Sequence, residues 1–231
     1  DVASRIVLPS GRISLSAVGD IQLASGGTLD VAGTAKDYLG KTVTTPGGDV
    51  AIVSRAGNIA LNSGARVDVS AAGSGSAGSV TLSAPEGDIE VAAGVLRAQS
   101  AGGASGGDFS IDTRAAASLD GIAALTGEFT RSWQARVRDG DTRLDANVKA
   151  QTIAISADAG SLAIGGTLDA SGAERGGRIE LTAQRALDHV DGMTTGAGDL
   201  VLEAGAKLDA RATEYVAEAV GTRGEGGTGV L

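Results

Sequence analysis

The chain has 231 residues, with 28 acidic against 19 basic side chains for a net charge of −9, and 37 glycines beside only 2% aromatic residues. This excess of carboxylates disfavours nucleic acid or an anionic membrane as principal partner, and no apolar run approaches the ~18 residues of a membrane-spanning helix. Cysteine is absent, which removes both a disulfide framework and a thiolate metal site, and the scarcity of rings leaves small and β-branched residues to fill the interior.

No basic start followed by an apolar segment marks a signal peptide. Because it opens at Asp1 and stops at Leu231 within a continuing pattern, the chain reads as an internal piece of a longer one. Ile6, Val7 and Leu8, ahead of Pro9, form the first expected strand. Residues 11–33 then hold three alternating runs, at Ile13 and Leu15, Ile21 and Leu23, and Leu29 and Val31, separated by small-residue turns. Period-two alternation sends Ile13 and Leu15 to one face and Arg12, Ser14 and Ser16 to the other, as in a half-buried strand. Residues 34–46 break the alternation, carry Tyr38 and end at Pro46, so they read as a loop leaving the repeat.

The three-run unit returns at Val50 and Ile52, Ile59 and Leu61, and Val67 and Val69. It returns again at Val80 and Leu82, Ile89 and Val91, and Val95 with Leu96. A fourth unit opens with Phe109 and Ile111 and loses clarity through Leu119 and Ile122. Residues 123–150, with Phe129, Trp133 and several arginines, carry the weakest repeat. Ile153 and Ile155, Leu162 and Ile164, and Leu168 restore it, and Ile179 and Leu181 open a sixth unit that passes His189 and Met193 before Leu200, Leu202 and Leu208. Residues 211–223 are irregular, and Gly226 and Gly227 restart the unit.

Units of roughly 24 to 30 residues with three strands each predict parallel pairing between copies about 4.8 Å apart. The expected fold is therefore all-β, a right-handed parallel β-helix of three-strand coils spanning residues 1–231, with insertions near 34–46, 123–150, 185–198 and 211–223. Amphipathic helices compete for the alanine-rich segments, but glycine at this density and strict period two oppose them.

Written as G-G-x-V, then G-x-I-x-L, then x-V-D-V-S, the unit resembles the filamentous haemagglutinin family of large exoproteins from Gram-negative bacteria. The matching residues are Gly47, Gly48, Asp49 and Val50; Gly57, Asn58, Ile59 and Leu61; and Arg66, Val67, Asp68, Val69 and Ser70. Echoes follow at Gly87, Asp88, Ile89 and Val91, and across Gly166, Thr167, Leu168, Asp169, Ala170, Ser171 and Gly172. The resemblance implies export by a two-partner route through an outer-membrane transporter. It also implies display at the cell surface as a long fibre for attachment, cell–cell contact or biofilm, with host or bacterial surface glycans or proteins as partners; whether fibres also undergo lateral self-association the sequence leaves open. This chain would be shaft, non-enzymatic and without a cofactor.

The chemistry-bearing residues are few. Asp30, Asp68, Asp169 and Asp209 recur at one place in the unit and would stack into a partial carboxylate column able to hold Ca²⁺, or would point outward, solvated, to deter lateral sheet pairing. His189 stands beside Asp188 and Asp191 without a nucleophile in its neighbourhood of sequence. Arg131, Arg136, Arg138 and Arg143 surround Trp133, an arrangement that would line a cleft for anionic glycans or, more plainly, a deviating coil or side-packed hairpin whose Trp covers the shaft. Tyr38, in the 34–46 excursion, is a further candidate receptor contact. The competing function is a carbohydrate-active β-helix enzyme or a phage tailspike-like polysaccharide depolymerase, which would need paired carboxylates at hydrolytic separation.

Overall fold

A computed structural model of the chain describes residues 1–100, 105–173, 175–187, 194–195, 198–212 and 228–230. The chain is mostly β, with parallel sheets. It divides into two compact units, residues 1–114 with 128–131, and residues 115–127 with 132–231.

In the first unit the repeats that open at Arg12, Asp49 and Ser79 each contribute one strand to each of three parallel sheets. The first sheet holds Arg12–Ala17, Asp49–Ser54, Ser79–Ala84 and Asp108–Thr113. The second holds Ile21–Leu23, Ile59–Leu61 and Ile89–Val91, and the third Arg5–Val7, Thr28–Asp30, Arg66–Asp68 and Leu96–Arg97. Register puts like on like. Ile13, Val50, Val80 and Phe109 are successive Cα partners, as are Leu15, Ile52, Leu82 and Ile111. From Val50 onward these columns are at most 3% exposed, and the alternating outer residues face water, as strand geometry requires. Phe129 is buried against Phe109, ring centroids 5.5 Å apart and tilted by 54°.

The second unit repeats the plan. Ser132–Val137, Thr152–Ala157, Arg178–Ala183 and Thr228–Val230 form its first sheet. Thr142–Leu144, Leu162–Ile164 and Leu200–Leu202 form its second, and Val148–Lys149, Thr167–Asp169 and Lys207–Asp209 its third.

Residues 123–150 are therefore not one insertion. Trp133, Ala135 and Val137, then Thr142 and Leu144, then Val148, make a complete but shortened repeat, with its third-sheet corner bonded to the next only 20 residues on. The first unit is looser, its cross-strand bonds joining residues 37 apart where a hairpin intervenes and 30 apart where none does. The departure from the repeat is instead a single short helix, Asp120–Leu125. Its start is fixed by the Ser118 hydroxyl, which accepts from the Asp120 N–H at 3.1 Å, while the Asp120 carboxylate accepts the N–H groups of Asp145 and Ala146, each at 2.7 Å. Residues 34–46 form an antiparallel hairpin, Ala35–Tyr38 with Lys41–Thr44. A second antiparallel pair, Ala186–Leu187 with Thr194–Thr195, lies within 185–198. His189, Met193 and most of 211–223 lie outside the described residues.

Tight corners explain the glycines that precede the first-sheet strands. A Cβ on Gly78 would sit 1.8 Å from the carbonyl oxygen of Gly48, and one on Gly48 would sit 2.0 Å from that of Gly11. The next strand's backbone occupies that space, since the Ser79 N–H donates to the same Gly48 oxygen at 3.1 Å. One buried position is conversely ill-matched. Thr142 is 3% exposed, its column neighbours are Leu162 and Leu200, and its hydroxyl has no hydrogen-bond partner among the described residues.

Urea denaturation tests both. Gly78→Ala is expected to cost about 2 to 3 kcal/mol by overpacking, whereas Gly121→Ala, with open space around it in the helix, should be neutral or stabilising. Thr142→Val, which removes an unsatisfied hydroxyl at constant shape, should raise stability by about 1 kcal/mol.

Candidate functional site

Strand alternation hands the outer face of each sheet to polar side chains, and register stacks these into columns as well. On the first sheet of the first unit, Asp49 accepts from Arg12 at 2.9 Å and from the Ser79 hydroxyl at 2.6 Å, and both oxygens of Asp108 accept from Arg131, one from Nε at 2.7 Å and the other from Nη2. The Ser79 hydrogen bond and the Arg12 charge hold Asp49 below the usual carboxylate range despite partial burial.

The recurrent aspartates are each tied into the corner of their repeat. Asp30 and Asp68 are Cα partners, as are Asp169 and Asp209, so they sit one strand spacing of about 4.8 Å apart along the backbone and their charges repel. Each is neutralised locally. Its Oδ1 accepts the backbone N–H two residues on, from Ala32, Ser70, Ser171 and Arg211 respectively, which closes an Asx turn at the corner. Each also meets a cation: Arg5 at 3.2 Å, Arg66, Lys149 at 3.0 Å and Arg211 at 2.7 Å. Asp68 and Asp209 are buried to 5% and 9% exposure. Among the described residues no three His, Asp or Glu side chains gather as a metal-binding group.

A second ladder runs along the corner before the second sheet. The Asp20 carboxylate accepts the Asn58 N–H at 2.8 Å, the Asn58 amide oxygen accepts the Asp88 N–H at 2.9 Å, and Arg114 pairs with Asp88 at 3.1 Å. In the second unit Asp141 accepts from the Ser161 N–H at 2.7 Å, and the Ser161 hydroxyl from Asp199 at 3.2 Å. Beside Asp20, Asn58 and Asp88 the outer row of the second sheet reads Gln22, Ala60, Glu90. The short Ala60 between two long neighbours leaves a groove of about 240 Å³.

The tryptophan expected to stack on an anionic glycan is buried. Trp133 is 1% exposed and its indole N–H donates to the Thr126 hydroxyl at 2.8 Å, so its face is a core surface and cannot stack on a sugar. Arg131 belongs to the first unit and is held by Asp108, while Arg136 pairs with Asp158 at 2.6 Å within the second. Arg138 is half-buried and has a partner too. Alternation in SWQARV signalled the burial of Trp133, Ala135 and Val137, and the arginines drew attention away from it.

Tyr38 is where a contact residue would be, 61% exposed on the hairpin. The residues that join its strands, Leu39 and Gly40, have φ of 50° and 80°, the positive pair that a two-residue hairpin link demands. Leucine in that conformation costs about 1 kcal/mol, and Leu39 is fully exposed. Lys36 and Lys41 flank it, with no acidic partner among the described residues, while Asp37 is engaged by the Thr42 hydroxyl. The Leu-Gly pair was the available signal for this tip. No helix among the described residues is long and apolar enough to cross a membrane.

Compared with protein-family models, with curated proteins and with solved structures, the chain finds no match.

The corner aspartates set the acid limit of the fold. For Asp68 and Asp169, burial works to raise the carboxyl, but hydrogen bonds from Ser70 and Ser171 and the adjacent cations outweigh it and both titrate low. At Asp209 the Arg211 hydrogen bond leads and brings the carboxyl down to about 2. Unfolded aspartate titrates near 3.9, so between those values the unfolded chain binds more protons and stability rises with pH. Melting temperature should be insensitive to these groups from pH 7 to about pH 5 and fall from about pH 4 towards pH 2, with a shallower fall in Asp68→Asn. Circular dichroism melts across that range check it, and equal stability at both ends would contradict it.

Proposed function

We propose that the chain is a right-handed parallel β-helix that serves as a non-enzymatic shaft segment of a secreted, surface-displayed bacterial adhesin of the filamentous haemagglutinin type. The observation that carries this reading is the register within each unit: strand positions recur on three parallel sheets, repeat after repeat, with apolar residues stacked inward. Parallel strands joined in this way need crossover connections, and such crossovers are right-handed almost without exception. Repeats that bond only to their neighbours extend in one dimension, so stiffness comes from the backbone bonds that every repeat shares with the next. The motif resemblance at Gly47 to Val50, Gly57 to Leu61 and Arg66 to Ser70 supports the family and, with it, a Gram-negative cell surface and export through an outer-membrane transporter.

The commitment of side chains also favours a passive role. Asp30, Asp49, Asp68, Asp108, Asp158, Asp169 and Asp209 are engaged by cations of the chain, an arrangement that keeps a long regular surface soluble. Receptor contact then falls to segments that leave the repeat, as loops on rigid scaffolds generally do, and the hairpin Ala35–Tyr38 with Lys41–Thr44 is the best described of these.

Purified chain should be retained on host or bacterial cells, or on immobilised surface glycans, without reducing the molar mass of any polysaccharide in a broad panel. Replacing residues 35–44 by Gly-Gly should keep the melting temperature and lower retention. Progressive shortening of a polysaccharide would instead establish the depolymerase and sink the shaft reading.

A further inference from the structure

The hairpin tip and the Ala60 groove are complementary features of one acidic chain. The tip carries Tyr38 and Leu39 between Lys36 and Lys41, with Val43, 46% exposed, behind them. A leucine at positive φ, aimed wholly into solvent, violates backbone and burial preferences together, and such paired violations mark a residue retained for an interaction. The groove is a notch above Ala60, walled by Gln22 and Glu90, with Asp20 and Asp88 along its side. Asp20 and Glu90 are exposed and have no cation against them among the described residues. An apolar knob flanked by ammonium groups thus has, on the same molecule, a cleft flanked by carboxylates that no cation neutralises among the described residues, within a chain whose net charge of −9 otherwise favours separation of copies.

The two features lie on different sides of the first unit. The hairpin leaves after Thr28–Asp30 of the third sheet and returns before Asp49–Ser54 of the first, whereas the groove is on the outer face of the second. We propose that the hairpin tip of one copy docks in the Ala60 groove of a second copy. Leu39 and Tyr38 fill the notch, and Lys36 and Lys41 approach Asp20 and Glu90. Because the two patches differ, the contact is heterologous, and it adds copies in open series instead of closing a two-fold dimer. A contact this small is weak for a single pair and gains strength when many are presented along a fibre. The inference holds whatever surface the shaft contacts.

Sedimentation velocity of the full 231-residue chain, from micromolar to millimolar at low salt, tests it. Wild type should show a mass that climbs with concentration beyond a dimer and declines when salt is added. Leu39→Asn, which suits the positive φ and so should melt no lower than wild type, and Ala60→Arg, which fills the notch, should each weaken association about tenfold or more. Mixed together they should form a one-to-one complex and nothing larger, since the mixture retains one good tip and one good groove. Monomeric wild type at every concentration, a mixture that stays monomeric, or unimpaired association of Leu39→Asn would each overturn the proposal. So would co-sedimentation with phosphatidylglycerol vesicles that Leu39→Asn abolishes in a chain that does not self-associate.

Discussion

The structure depends on one constraint: the backbone N–H and C=O groups of each strand are satisfied by the equivalent strand of the next repeat. Residues at equivalent positions therefore sit one strand spacing apart, and any side chain must be compatible with its counterparts above and below. Apolar residues meet this requirement without difficulty, which is why Val50 on Val80 and Ile59 on Ile89 need nothing else. At the corners the same closeness excludes even a Cβ, and Gly48 and Gly78 follow from that.

Charge is harder to stack. Two carboxylates in one column, such as Asp30 and Asp68 or Asp169 and Asp209, destabilise one another unless each is neutralised on the spot. The chain supplies a backbone N–H and a cation to every one of them, often from the same strand or from two residues further on. These pairs are worth little individually when exposed. Their effect is cumulative, because they permit a regular acidic surface over many repeats and leave few ionised groups uncommitted. Lys36, Lys41, Asp20 and Glu90 are among the exposed charges without an ion-pair partner among the described residues, as are Arg55, Glu86 and Asp139.

The hairpin departs from every rule the repeat obeys. It is antiparallel, lies outside the three sheets, and exposes Tyr38, Leu39 and Val43. The repeat supplies rigidity and position, and the departure supplies a surface that differs from its surroundings. Such a division permits change at the tip without disturbing the columns beneath it.

Period-two alternation in the amino-acid sequence, read against its glycines, determined the β class, the three-strand unit and the inward positions of residues such as Val67, Leu82, Ile155 and Leu168. Burial of an alternating face is a local property of the strand, so spacing alone reveals it. Spacing did not disclose the repeat at 132–149, where Trp133, Ala135 and Thr142 replace the usual Val, Ile and Leu, because only a stacked neighbour shows that such unequal residues fill equivalent places. Nor did it reveal that Trp133 is core or that Arg131 and Arg136 are spent on Asp108 and Asp158, whose partners come from strands more than twenty residues away. The corner role of Asp68 and the notch at Ala60 were likewise decided only by tertiary structure, since each is defined by what the adjacent repeat places beside it.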